Sequence, residues 1–286
     1  MSSTNEKIIS WLFETKAIRV CPQDKPFWYT SGTIGPYYIN THFLYGSEEK
    51  ANKLLKLIDE CKEDKLSCSA KILTATLQNY NEDSIYKGLI DSMCGYIKDN
   101  IKLAKIGCIS GGERRDWFFS LIIAKMLDLP HVTIFKDLDS VLFYNGIASE
   151  AKGLDGKGVL HIADLITEAS SYERAWIPAI NNLKGVMRQS LVVVDRKQGG
   201  AELLNANGVK SHSMVEIGKG LFDTALNLGL IGKEQYEMIM GYIDNPHESM
   251  KAFLKNNPDF LEQALNSGDK SAERARLCVE KNIYGL

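Results

Sequence analysis

Between residues 101 and 217, short apolar runs alternate with segments of helical period, and no other feature of the chain restricts its fold so tightly. Ile106-Gly107-Cys108-Ile109-Ser110 reads as a strand that ends in Gly111-Gly112. Trp117, Leu121 and Ala124 then recur at i, i+4 and i+7, the spacing of one helix face. His131 to Phe135 is a second strand and Gly158 to Asp164 a third. Tyr172 to Leu183 reads as a helix, which Pro178 should kink by removing an N–H donor. Ser190 to Asp195 contains the buried strand Leu191-Val192-Val193-Val194, and Met214 to Ile217 suits a last one. Strands alternating with helices imply an α/β fold, a mostly parallel sheet with helices on both faces. Val159 to Asp195 is long enough for one right-handed βαβ crossover.

The flanks differ from this core. Tyr29-Thr30-Ser31-Gly32-Thr33-Ile34-Gly35-Pro36 is dense in turn formers and reads as an ordered loop. Tyr37-Tyr38-Ile39-Asn40-Thr41 suits a short strand, and Glu48 to Glu60 a helix with Leu54, Leu55 and Ile58 on one face. After residue 217 the pattern is helical, broken at Asn245-Pro246 and Asn257-Pro258. Three parts are expected: residues 1–100 as an N-terminal hood and helices, 101–217 as the α/β core, and 218–286 as a C-terminal helical extension.

With 286 residues, 44% of them hydrophobic, the chain can bury a core without disulfides or metals. Its six cysteines form no CxxC pair, and its five histidines no zinc-ligand spacing. A net charge of -2 gives no general basic field for nucleic acid. Residues 1–11 lack a signal-peptide core, and no apolar run approaches the roughly 20 residues that span a bilayer. The expectation is a cytoplasmic protein with neither membrane nor nucleic acid as partner.

Three segments reach the carboxyl edge of the expected sheet, where ligands of open α/β folds bind. In the first, the strand ending at Asp164 leads into Leu165-Ile166-Thr167-Glu168-Ala169-Ser170-Ser171. Free N–H groups in such a loop can cradle phosphate, with Thr167, Ser170 and Ser171 donating and Asp164 holding ribose hydroxyls. The same pattern also suits an ordinary turn with a serine cap. In the second, Ser110-Gly111-Gly112-Glu113-Arg114-Arg115-Asp116, paired glycines allow close backbone approach and Arg114 or Arg115 can clamp diphosphate. A tight turn opening a charged helix explains it equally. In the third, Asp195-Arg196-Lys197-Gln198-Gly199-Gly200, an arginine at a strand end suits a carboxylate ligand, and a solvated loop is the plainer reading. No GxSxG elbow or Walker A motif occurs, and His161 on its apolar strand reads as a core histidine.

In order and spacing these segments resemble the orotate phosphoribosyltransferase family over roughly residues 25–217. Val192-Val193-Val194-Asp195-Arg196-Lys197-Gln198-Gly199-Gly200 carries the likeness furthest, and Tyr29 to Asn40 is similar to the family's N-terminal element over the base pocket. Leu160 to Ser171 stands at the phosphoribosyl-diphosphate motif and Ser110 to Asp116 at the diphosphate loop. The resemblance implies a type I phosphoribosyltransferase fold. It also implies phosphoribosyl transfer from phosphoribosyl diphosphate to orotate or a related base in pyrimidine nucleotide synthesis, with Mg2+ as cofactor and a homodimer as the assembly. Asp164 and Lys136 are then the catalytic candidates. Asp164, Thr167, Ser170, Ser171 and Arg114 bind phosphate and ribose, and Tyr37, Tyr38 and Arg196 bind the base.

The chain departs from that family at several points. Ala163 replaces the first acid of the motif, and Glu168 and Ala169 stand where small hydroxyl and glycine residues belong. Thr30 replaces a lysine. The stretch 136–157, where the family has a mobile basic loop, carries Asp137, Asp139 and the apolar Val141-Leu142-Phe143-Tyr144. These changes imply slow transfer, and they keep open a non-catalytic relative that binds a nucleotide or phosphoribosyl diphosphate as a sensor or partner subunit.

Overall fold

The computed structural model describes residues 3–22 and 24–285. They divide into two compact units, one of residues 1–17 and 41–217 and one of residues 18–40 and 218–286.

The first unit is built on a seven-stranded sheet. Its strands are β1 (Cys108–Gly112), β2 (His131–Ile134), β3 (Ser140–Tyr144), β4 (Ile147–Glu150), β5 (Gly158–Ile166), β6 (Val186–Asp195) and β7 (Lys210–Glu216), in the order β7-β6-β5-β1-β2-β3-β4. The five strands from β7 to β2 run parallel, and β3 and β4 add an antiparallel hairpin at one edge. This is the α/β architecture expected, with helices flanking the sheet. The parallel strands are apolar because both of their faces are covered; β5 is buried from Gly158 to Asp164.

Helices α1 (Ser3–Glu14), α2 (Glu48–Cys61), α3 (Lys65–Glu82), α4 (Ser84–Asn100) and α5 (Trp117–Met126) belong to this unit. Ser47 caps α2 by accepting from the Lys50 N–H, and Ala51, Leu54, Ile58 and Cys61 form its buried stripe. Asp83 caps α4, accepting from the N–H groups of Ile85 and Tyr86. Residues 41–100 therefore do not form a separate N-terminal part with residues 18–40. Their buried faces join the sheet's own core, as when Ser69 Oγ meets Thr133 Oγ1 at 2.8 Å and Tyr86 donates to the Phe118 carbonyl.

Two local expectations are corrected. Tyr172–Trp176 is a π-helical turn, and Pro178 sits in the first turn of the following helix, α6 (Ile177–Asn182), where a missing N–H costs nothing. The stretch expected as a loop within 136–157 is largely the β3–β4 hairpin. Period-two alternation there buries Val141 and Phe143, so the apolar run is mostly not a surface awaiting a partner; Tyr144 at 39% and Ile147 at 73% remain exposed.

In the second unit, residues 18–40 share a core with the helices after residue 218. Strand Ile18–Val20 pairs with Tyr37–Ile39, and Phe27–Trp28 with Ile34–Gly35. Trp28 stacks on Phe260 at 5.6 Å, and the Tyr284 hydroxyl accepts from the Ile34 N–H at 2.9 Å. Helices begin at Pro246 and Pro258, as the Asn-Pro breaks imply. No helix among the described residues is long and apolar enough to cross a membrane.

Candidate functional site

The parallel strands end on a cavity of ≈ 360 Å³. Its walls are the turn Glu113–Asp116 after β1, the segment Ala163–Ser171 at the end of β5, and the aromatic rings of Tyr172 and Trp176. Five of the residues picked from sequence meet here: Asp164, Thr167, Ser170, Ser171 and Arg114.

The loop after β5 has the form of a cradle. Ala169 has φ 58, the left-handed conformation that a glycine would adopt freely, so the loop keeps its turn with alanine in that place. The N–H groups of Glu168 and Ala169 donate to no protein group among the described residues. Ser170 and Ser171 are exposed, and so is Glu168. From behind, the loop is braced by the turn after β6: Gly200 N–H donates to the Thr167 carbonyl at 2.9 Å, and Arg196 N–H to that of Ile166 at 3.0 Å. A Cβ on Gly200 would stand 2.5 Å from the Thr167 oxygen, so only glycine permits this approach.

The paired glycines of β1 serve the protein's own packing rather than a ligand. A side chain at Gly111 would strike Ser120, and one at Gly112 would strike the Trp176 ring. Beyond them the two arginines differ. Arg114 is held by Asp59 of α2. Glu113 is held by Lys62 at 3.4 Å and accepts from the Lys136 N–H at 3.0 Å. Arg115 is exposed and forms no salt bridge among the described residues, and its charge acts on Asp164 and on His42. Of the two, Arg115 is the cation free to meet an anion, a choice that the sequence left open.

Asp164 is 8% exposed. Burial, and then the neighbouring Asp116, push its carboxyl up to about 7, against the opposing pull of Arg115. Asp116 lies at the start of α5, 7% exposed, and accepts from the N–H groups of Gly112 at 3.0 Å and Asp164 at 3.2 Å. His161 is a core histidine, as expected. Its Nδ1 is 2.9 Å from Ser110 Oγ, and its Nε2 stands 3.3 Å from Asp116 Oδ2, near enough for an ion pair although short of hydrogen-bond geometry. Asp116, Tyr172 and Trp176 were not singled out as site residues, and Arg115 was named only as the alternative to Arg114. The position of Asp116 immediately after Arg114-Arg115 was the only signal for it.

The remaining candidates do not line this cavity. Lys136 is exposed on the chain leaving β2. Arg196 is half-buried, and its guanidinium has no partner among the described residues. Tyr37 and Tyr38 belong to the second unit, where Tyr37 packs on Phe222 and Tyr242 and Tyr38 lies near Tyr29 and Phe27. Among the described residues no three His, Cys, Asp or Glu groups come together to hold a metal ion. The side chains thus offer Mg2+ no cage of their own, and a cation here would need oxygens brought by a ligand.

No family model matches the chain. Over 88 residues, 31% of the chain, it is 31% identical to the orotate phosphoribosyltransferase of Saccharolobus solfataricus, and the match takes in 44% of that relative. Among solved structures, UMP synthase of Leishmania donovani is similar with a TM-score of 0.53 and 15% identity, over 89% of this chain and 43% of that one. An orotate phosphoribosyltransferase of Francisella tularensis gives 0.53 and 13% identity, over 82% of this chain and 96% of that one. The chain therefore has the fold of a type I phosphoribosyltransferase. In sequence it is similar to the one orotate phosphoribosyltransferase of Saccharolobus solfataricus, and the match spans less than half of that relative's length.

Proposed function

We propose that the cavity binds a ribose phosphate, and that the chain transfers a phosphoribosyl group from phosphoribosyl diphosphate to orotate or a related base. The observation that carries this reading is the unpaired cradle Thr167–Ser171 opening beside Asp164 and Arg115 at the carboxyl edge of a parallel sheet. The relatives favour it over a purely sensing role.

In this reading a nitrogen of the base forms a bond to the anomeric carbon as the carbon–oxygen bond to diphosphate breaks. The chain's part is to position the two reactants and to oppose the charge that develops. Backbone N–H groups of residues 167–169 and the Ser170 and Ser171 hydroxyls hold the 5-phosphate. Asp164 meets the ribose hydroxyls, and Arg115, helped by Arg114, faces the departing diphosphate. Arg196, at the end of β6, serves the carboxylate of the base. A second copy of the chain completes a homodimer, which sedimentation tests.

Calorimetry with phosphoribosyl diphosphate and with orotidine monophosphate, each with and without Mg2+, tests the reading. Binding of both, with orotate consumed at a rate well below the roughly 10 per second of ordinary enzymes, is expected. No binding of either ligand under any of these conditions overturns it.

A further inference from the structure

Beneath the cavity lies a buried chain of polar groups that substrate contacts alone do not explain: Ser110, His161 and Asp116, ending at Asp164. It crosses three elements. Ser110 comes from β1, His161 and Asp164 from β5, and Asp116 from the first residue before α5. All four are at least nine-tenths buried, yet only Asp116 and Asp164 reach the cavity.

We propose that Asp116 and His161 are positioning residues that fix a proton on Asp164, so that the cavity presents a carboxylic acid rather than a second carboxylate. The proposal deepens the phosphoribosyl reading only in its consequence, since it is Asp164 that would meet the ribose; the arrangement itself needs no ligand.

Each link has a physical reason. A Ser110 hydroxyl that donates to His161 Nδ1 leaves the imidazole proton on Nε2, the nitrogen that faces Asp116. Asp116 then accepts from two N–H groups, those of Gly112 and Asp164, and has His161 Nε2 at 3.3 Å, all of which favour its negative charge. Two buried carboxylates whose charges act on each other cannot both be ionised cheaply, and at Asp164 the N–H groups of Leu165 and of Asp164 itself oppose the rise less than burial and Asp116 drive it. The shared proton therefore rests on Asp164, in keeping with the rise of its titration to about 7.

The other groups around Asp164 do not reverse this. Arg115 opposes it from the turn after β1, and Arg114 is engaged by Asp59. Glu113 and Glu168 also line the cavity, and Glu113 is paired with Lys62. Tyr172 donates to or accepts from Ser190 at 2.7 Å, and β6 offers only Val192 to Val194 at this level. Trp176, stacked on His161 at 6.3 Å, and Tyr172, edge-on at 4.9 Å, pack against its imidazole. A carboxylic acid in that position can donate to a phosphate or ribose oxygen, which a carboxylate cannot. Ligands whose oxygens accept would bind best below the transition.

The test follows the aspartate carboxyl carbons by NMR across pH in the ligand-free protein, so failure of the phosphoribosyl reading does not affect it. In the wild-type chain a single carboxyl, Asp164, should titrate near 7. Asp116→Asn removes the like charge and should lower that midpoint by about one unit. His161→Leu removes the donor and should move part of the transition from Asp164 to Asp116, whereas His161→Gln, which keeps an N–H, should restore the wild-type curve. A merely structural role would leave the Asp164 curve in place in every variant that folds. An Asp164 midpoint near 4 in the wild-type protein, or one unmoved by both Asp116→Asn and His161→Leu, overturns the proposal.

Discussion

Two neighbouring strands of the same sheet, β5 and β6, carry a buried aspartate at or near their carboxyl ends, Asp164 and Asp195, and each is followed by a tight turn, but the two turns meet different surroundings. After β6, Asp195 accepts from the Lys197 N–H at 2.7 Å, Lys197 and Gly199 take left-handed backbone at φ 55 and φ 92, and Gly200 closes onto the β5 loop. The N–H groups of Arg196, Lys197 and Gly200 are answered within the protein, while those of Gln198 and Gly199 and the Arg196 guanidinium have no partner among the described residues. After β5, the Glu168 and Ala169 N–H groups likewise have no protein partner among the described residues, but here they stand in a loop that lines a cavity, which the Asp164 carboxyl faces. The β6 turn carries the strongest likeness in sequence, and the β5 turn departs most. A backbone that must turn sharply and touch its neighbour restricts residue types severely. A loop whose work is done by main-chain N–H groups admits more changes, Ala169 among them.

The largest difference expected between the two turns is in pH dependence. Asp164 binds its proton up to about 7, against an ordinary 3.8. Its contribution to stability is thus complete below 3.8 and is lost as the pH rises through 7. Asp164→Asn should remove that loss, stabilising the protein at pH 8 by on the order of 4 kcal/mol while changing little at pH 4. Burial also raises Asp195, so Asp195→Asn should act in the same direction but more weakly, and it sacrifices the acceptor of the Lys197 N–H. Urea unfolding at the two pH values decides the matter. Equal pH dependence in both variants would erase the contrast.

Ligand binding should separate the turns next. Glutamates in place of both Ser170 and Ser171 should weaken phosphoribosyl diphosphate by about a hundredfold or more, since like charges would meet in the cradle. Arg196→Ala should leave inorganic phosphate within about twofold and weaken orotate about tenfold. Calorimetry that finds the reverse pattern would move the phosphate site to the β6 turn.

The arginines of the β1 turn sharpen the picture further. Arg115→Ala should reduce diphosphate affinity roughly tenfold, because this guanidinium is uncommitted. Arg114→Ala, which removes a group already held by Asp59, should reduce it less than about threefold. An equal loss from both would mean that Arg114 leaves Asp59 when ligand arrives.

The smallest effects concern the left-handed residues. Gly199→Ala should cost about 1–2 kcal/mol of stability, the strain of a Cβ at positive φ. Ala169→Gly relieves strain of that kind, but it frees the unfolded chain and removes a buried methyl, so its net effect should stay within about 1 kcal/mol. Thermal unfolding of the two variants measures the difference directly. A large gain from Ala169→Gly would show that the β5 loop is held in tension by its neighbour.

Much of this was legible in the sequence. Short apolar runs placed five of the sheet's strands and a helical period placed the helix after β1, and the strand–loop–helix pattern named Asp164, Thr167, Ser170 and Ser171, which line one cavity. The β3–β4 hairpin was missed because 136–157 was aligned with a loop, although Ser140 to Tyr144 alternates inward and outward. Nothing local says which core a helix covers: α3 and α4 bury their faces in the sheet unit, while residues 18–40 join helices two hundred positions away.

What the sequence determined by itself is the order of strands and helices and the residues at each strand's end, because those depend on side chains within one turn or one pleat of each other. Which of the strand ends became a site was decided only by tertiary structure. Asp59 reaches across from α2 to hold Arg114 and so leaves Arg115 free, Trp176 occupies the space above Gly112, and Asp116 comes to rest beside Asp164, 48 positions away along the chain. Charge and burial act through space, and the chain separation of two carboxyl groups gives no measure of how strongly they share a proton.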